Sequence, residues 1–327
     1  MSREDRLAGM NKALAGLATL LTPEDRVQVI GFSRNARLLA EDMSGDNAAT
    51  IGGLIHQEAS EGGTNLEEAL ALGEQIAQRT RLEGAQNRIV LFTDGAANLG
   101  DADPASLTKR VEAMRQKGIA FDIAGIVADG LNDELLGDLA RHGNGRYYVV
   151  GKGDRQDLAA QLAGAFRPAA ENVKVQVHFN PERVSRYRLV GFEKDRLNKE
   201  DFRNDAVDAA EMAAEEAGVA IYQVETLPEG KGEMGEVSVR FRDVASGQMV
   251  ERGWTLTHQD KVPVLDRSTP SMQLAVLAML AGEKLKGGPL ADAVNFKEMA
   301  PVAATVREAY QQNDRVAELL QMIEQLK

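Results

Sequence analysis

The spacing of apolar positions changes character twice along this chain. Over 4–21, Leu7, Met10, Leu14, Leu17, Leu20 and Leu21 fall on one helical face. Arg26–Phe32 (RVQVIGF) then predicts a strand and Ala36–Ala40 (ARLLA) a short second one, before helical spacing returns at about 46–57 and 65–82. Arg88–Phe92 (RIVLF) is a continuous apolar run after a polar lead, the pattern of a strand buried on both faces. A helix at about 104–117 leads into a second such strand, Ile119–Val127. Helix 131–141 closes at His142-Gly143, and strand 146–150 and helix 154–166 follow. Strands alternating with helices call for right-handed crossovers. The expectation is an α/β fold with an open, mostly parallel sheet and helices on both faces.

Pro168 ends that pattern. Val173–Phe179 (VKVQVHF) alternates with period two, and similar strands follow at 186–193, 219–226, 235–242 and 249–257. Few long helices separate them, so antiparallel pairing in a sandwich-like domain is expected. The acidic stretch 205–217 (DAVDAAEMAAEEA) is helix-biased. Past Pro263 helical spacing resumes at 270–286, roughly 296–311, and 313–326. Its stripe of Val302, Val306, Ala309, Val316, Leu319, Leu320 and Ile323 should pack on the protein itself. The chain thus divides into 1–166, 167–262 and a helical segment 263–327.

Composition narrows the classes without choosing among them. Hydrophobic residues at 43% and charged residues at 27% fit a globular domain. No run approaches the roughly 18 apolar residues of a membrane span, so no membrane insertion is expected. The charged start, MSREDRLAGM, does not read as a signal peptide. The chain as written is expected in the cytoplasm, or in the periplasm or cell envelope if the natural start lies further upstream. Cysteine is absent, which excludes disulfides and thiolate chemistry. A formal charge of −12 opposes nucleic acid as a partner. His56, His142, His178 and His258 lack ligand-like spacing and read as structural.

Two loops could carry chemistry. Glu61-Gly62-Gly63-Thr64-Asn65 opens the helix at 65–82, and Phe92-Thr93-Asp94-Gly95 closes a buried strand. Open α/β sheets place their sites on that carboxyl edge. Each loop also has a structural reading. Thr64 to Glu67 is a capping box with Thr64 as N-cap, and Asp94-Gly95 is a common turn pair.

Taken together, GGTN before an amphipathic helix and TDG some 30 residues later resemble the von Willebrand factor A family. Leu21–Ser33 (LTPEDRVQVIGFS) resembles that family's second strand and its approach, so the likeness covers about residues 1–166. The resemblance implies a divalent cation, Mg²⁺ with Ca²⁺ or Mn²⁺ as substitutes, held at the top of the sheet by hard oxygen ligands. Thr64 matches the second-loop threonine and Asp94 the third-loop aspartate. The family's first strand and its Asp-x-Ser-x-Ser loop have no counterpart, because Met1 falls where the methionine after that motif would be. A start placed too late is preferred over a protein that works without the full site. Either way, the sheet should show an unfilled slot or re-paired neighbours. Further on, Asn180-Pro181, Tyr187–Gly191 (YRLVG) and Glu200-Asp201-Phe202 resemble the bacterial family labelled YfbK-like. Members of that family generally carry a domain before the A domain and are often exported.

The implied function is a non-enzymatic binding module whose cation engages an exposed Asp or Glu of a partner protein. A metal-free scaffold is the alternative, since Thr64 and Asp94 are only part of the usual ligand set. A phosphoryl-transfer enzyme using Asp94 is a weaker reading. The later strand ends near Ala128-Asp129 without a lysine, and neither a P-loop nor G-x-S-x-G occurs.

Overall fold

The computed structural model describes residues 11, 14–19, 21–56, 63–93, 100, 103–126, 131–150, 165–166, 168–192, 196–205, 207, 209–213, 217–259 and 264–326. The chain forms two compact units. One is Met1–Glu171 with Ala210–Glu216, the other Asn172–Ala209 with Ala217–Lys327.

In the first unit, β1 (Arg26–Phe32) and β2 (Ala36–Ser44) form an antiparallel hairpin. A 3₁₀ turn (Gly45–Thr50) and short helix α1 (Ile51–His56) follow, then α2 (Leu66–Arg79). Next, β3 (Asn87–Thr93), α3 (Pro104–Gln116), β4 (Ile119–Ile126), α4 (Asp133–His142) and β5 (Tyr147–Val150) alternate. β4 lies between β3 and β5, parallel to both. It is buried at every position, which is why its sequence is apolar at all but one place rather than alternating. On one face Ile119, Phe121 and Ile123 join Leu91 against Leu107, Val111 and Met114 of α3 and Leu136 and Leu139 of α4. On the other, Val90 and Phe92 gather with Leu17, Tyr148 and Phe166. α2 buries Leu66, Ala69, Leu70, Gly73 and Ile76, a single stripe at helical spacing.

The parallel sheet and its covering helices agree with the sequence pattern, but the sheet is divided. β1–β2 stands as one piece and β3–β4–β5 as another. Among the described residues no backbone hydrogen bond joins β1 to β3.

One polar residue interrupts β4. The Asp122 side chain is fully buried, and so, nearly, is that of Arg88. Asp122 Oδ2 accepts from the Arg88 guanidinium at 2.7 Å, and Oδ1 accepts from the Arg146 backbone N–H at 2.8 Å. The Asp122 charge and both its oxygens are thus met inside an apolar layer, as burial of a carboxylate requires.

In the second unit, β6 (Pro168–Phe179), which begins in the first, carries the chain forward. β7 (Val184–Val190) pairs antiparallel with β9 (Ile221–Thr226). β10 (Gly235–Asp243) pairs antiparallel with β11 (Met249–Leu256) and also neighbours β6. Lys174 of β6 is buried and donates to the carbonyls of Asp201 and Asn204, at the end of a 3₁₀ turn. The helix-biased stretch 205–217 holds a strand instead, β8 (Ala210–Ala213), which belongs to the first unit. Alanine-rich propensity is a weak prior that tertiary context overrides.

Helices α5 (Pro270–Leu285), α6 (Ala300–Ala309) and α7 (Asp314–Gln325) close the unit. Leu277, Phe296, Val302, Val306, Val316, Leu320 and Ile323 form their core, so the apolar stripe packs inward except at Ala309, which is exposed at the last turn of α6. Glu283 of α5 is buried beside Arg188, Lys286 and the Leu290 N–H. Burial alone pushes its carboxyl up. The Lys286 and Leu290 hydrogen bonds and the Lys286 and Arg188 charges outweigh this and hold it below the ordinary value of 4.5.

Two outcomes follow. Asp122→Ala leaves Arg88 buried without its carboxylate and should cost about 3–5 kcal/mol in urea unfolding. The double change Arg88→Met, Asp122→Leu should recover most of that loss. As for Glu283, a depressed carboxyl adds stability that is present above 4.5 and is lost as pH falls through the lower folded-state value. Glu283→Gln should therefore be less stable than wild type at neutral pH, with the gap narrowing in acid. A gap that stays constant across that range would remove charge from the explanation.

Candidate functional site

The carboxyl end of β1 meets the start of α2 where Ser33 O accepts from the Asn65 N–H at 2.8 Å. Asn65 is the helix cap. Its Oδ1 accepts from the Glu68 N–H at 3.2 Å, while its Nδ2 donates to Glu68 Oε2 at 3.0 Å and to Arg34 O at 3.2 Å. The expected capping box with Thr64 as N-cap is therefore displaced by one residue. An amide carries its acceptor and donor on separate atoms, so Asn65 caps the helix through Oδ1 and ties down the β1–β2 turn through Nδ2. Thr64 sits half-buried just ahead of the cap, after Gly63 in the left-handed region at φ 95°.

The loop after β3 returns to the same place. Thr93 is the buried last residue of β3, and Gly100, at the far side of 94–99, lies against the start of α2. A Cβ added there would come within 2.5 Å of Asn65 Oδ1 and 3.0 Å of Glu67 Oε2. At φ 73°, moreover, Gly100 occupies backbone space that side chains disfavour. Asp94 lies outside the described residues. Of the two expected ligands, the structure thus places Thr64 on the carboxyl rim, beside the return point of the loop that contains Asp94.

Further along the rim, Asn132 caps α4 through the Leu135 N–H. The Tyr147 hydroxyl donates to Asp133 Oδ1 beside Gly125, close enough that a Cβ on Gly125 would meet it at 2.6 Å. Burial first, then the hydrogen bond and charge of Asp133, push the Tyr147 phenol above its ordinary range, so it remains a neutral donor. Glu67 and Glu68 in the first turn of α2 answer the positive end of its dipole. Among the described residues no group of three or more His, Cys, Asp or Glu is placed to hold a metal ion. Thr64 offers a neutral oxygen, so a divalent cation here needs an anionic ligand such as Asp94 beside it.

Sequence reasoning missed Asn65, Ser33 and Gly100. The signal for Asn65 was present, because Asn65-Leu66-Glu67-Glu68 fits the capping pattern as well as Thr64-Asn65-Leu66-Glu67 does. Ser33 and Gly100 join the rim through long-range contacts that no local spacing marks.

Residues 164–327 match the family described as "Uncharacterized protein YfbK, C-terminal". Residues 1–96 match the von Willebrand factor type A domain. The chain belongs to the YfbK-like von Willebrand factor A family. A similar relative is "Uncharacterized protein YfbK" of Escherichia coli (strain K12), 32% identical over 216 residues, 65% of this chain and 38% of that protein. "Uncharacterized protein sll0103" of Synechocystis is 36% identical over 97 residues, 30% of this chain and 23% of that protein. This YfbK-like chain thus spans well under half the length of the curated relatives it matches. Among solved structures, "von Willebrand factor type A from Catenulispora acidiphila" aligns with a TM-score of 0.54 at 15% identity. That alignment covers 96% of this chain and 78% of that one, and it shows a shared fold. Among the described residues of the YfbK-like chain, no helix is long and apolar enough to cross a membrane.

The displaced cap separates two roles. Asn65→Ala should cost about 0.5–2 kcal/mol by urea unfolding, the usual loss for an N-cap. Thr64→Ala should cost clearly less. Equal losses would return the cap to Thr64.

Proposed function

We propose that the YfbK-like chain is a non-enzymatic protein-binding module. Its carboxyl rim uses Thr64 and Asp94 to hold a divalent cation, Mg²⁺ with Ca²⁺ or Mn²⁺ as substitutes, for an acidic group of a partner protein. One observation carries this reading. Thr64 stands on the rim without serving as the cap of α2, and the 94–99 loop leaves from buried Thr93 and returns at Gly100 against that same helix start. The donor chemistry fits a hard cation: a hydroxyl and a carboxylate supply two ligands, and Mg²⁺ keeps several waters. The chain's own part is to fix Thr64 through the Gly63 turn and Asn65 cap, while the cation, when bound, supplies positive charge for a partner's Asp or Glu.

Calorimetric titration with Mg²⁺ and Mn²⁺ tests it. Binding in the millimolar range or tighter is expected, as suits a site with few protein ligands. Asp94→Ala should abolish it and Thr64→Ala should weaken it. Heat-free titrations at all concentrations would favour the second reading, a metal-free scaffold. The sequence supports that alternative because Thr64 and Asp94 make up only part of the ligand set its family uses.

A further inference from the structure

β11 is the outermost strand of its sheet, with β10 on its inner side and no strand neighbour on its outer side among the described residues. Sheet edges are usually guarded by a lysine, a proline, a bulge or shortness, because unpaired N–H and C=O groups template strand addition. β11 (MVERGWTL) has none of the four. It runs for eight residues, and its register against β10 is unbroken from Arg242↔Met249 to Gly235↔Leu256. Glu251, one of its two charged side chains, is already engaged by Arg203 and Arg240. Arg252 to Thr255 are exposed, and Trp254, the chain's single tryptophan, keeps 54% of its surface open opposite Val237.

The ladder fixes which backbone groups face outward. At the turn end the Asp243 N–H donates to Gln248 O at 2.9 Å, and at the other end Leu256 O accepts from the Met234 N–H at 2.8 Å. Antiparallel positions alternate, so Val250, Arg252 and Trp254 direct their backbone groups to β10, whereas Met249, Glu251, Gly253 and Thr255 direct theirs outward.

We propose that this edge pairs with the same edge of a second copy of the chain, antiparallel about a two-fold axis at Gly253. Gly253 then faces Gly253 of the other copy and Glu251 faces Thr255, each pair exchanging backbone N–H···O=C bonds. Arg252 falls opposite Trp254 at the positions between those bonds, where facing Cα atoms are only ~4.5 Å apart and side chains touch most closely. Two guanidinium-on-indole contacts result, one on each side of the axis. Val250 faces Leu256 on the same surface of the sheet. The edge is thus complementary to itself. Glu251 never meets Glu251, and Arg252 never meets Arg252, as each would in a parallel pairing in register. A two-fold pair uses up both edges, so it closes as a dimer and does not grow into a fibre.

Sedimentation of the full chain tests this, with Trp254 emission and amide exchange followed on the same samples. A single-strand interface lies below the ~1,200 Å² of stable complexes, so a reversible dimer should grow in over roughly 10–500 µM. As it does, Trp254 emission should shift to the blue. Exchange at the outward amides of Glu251, Gly253 and Thr255 should slow about tenfold or more. Gly253→Pro removes an outward donor at an edge position where proline is tolerated, and it should be monomeric throughout. Gly253→Asp sets two carboxylates face to face on the axis and should also be monomeric. Its Cβ has room, with Val237 O at 3.8 Å and Ser238 Oγ at 3.9 Å, so this variant serves if the proline one fails to fold. Arg252→Glu should weaken the dimer about tenfold, and Arg252→Lys much less. Dimerisation should persist in chelator, which keeps this result separate from the cation reading. A chain that stays monomeric across that range overturns the proposal. So does a dimer that forms equally in Gly253→Asp, or one that leaves Trp254 emission and the three outward amides unchanged.

Discussion

A parallel strand cannot satisfy its own backbone. Its N–H and C=O groups need a neighbour on each side or water, and an unmet group in an apolar layer costs roughly 1–3 kcal/mol. β4 meets this demand with β3 along its whole length and with β5 over Ile123–Ile126, which is why it can be buried at every position. β1 and β3 each meet it on one side among the described residues. Among the described residues β1 and β3 therefore meet across the division through side chains: Ile30 and Ile89 beneath Gly73, and Val29 and Phe92 around Leu14. Packing of this kind is strong in sum but lacks direction, because dispersion and apolar burial do not fix register as a hydrogen-bond ladder does.

The same economy explains the ion pair in β4. Replacing Asp122 by an apolar residue would suit the layer better by area, yet the aspartate joins three places. Arg88 at the start of β3 reaches it by charge, Arg146 before β5 reaches it by its backbone N–H, and β4 carries it between them. A directional contact near the amino end of the three strands sets their order where the apolar contacts would tolerate sliding. Its location also keeps it away from the carboxyl rim, so the structural charge and the candidate binding oxygens do not compete.

Elements whose pattern is local were legible in the sequence. RIVLF and the run from Ile119 announced strands buried on both faces, and the stripe from Val302 to Ile323 announced an inward-facing helical pair. Features decided by distant residues were not. DAAEMAAEEA reads as helix by propensity, but Ala210–Ala213 takes strand geometry, as short alanine-rich stretches do when pairing outweighs propensity. The cap of α2 was ambiguous by one position because Thr64 and Asn65 each have an acidic residue three places on. The choice fell to Asn65 because Arg34, far away in sequence, offers its carbonyl to the amide. Of the candidate ligand pair, Thr64 lies just ahead of the α2 cap, and Asp94 lies outside the described residues.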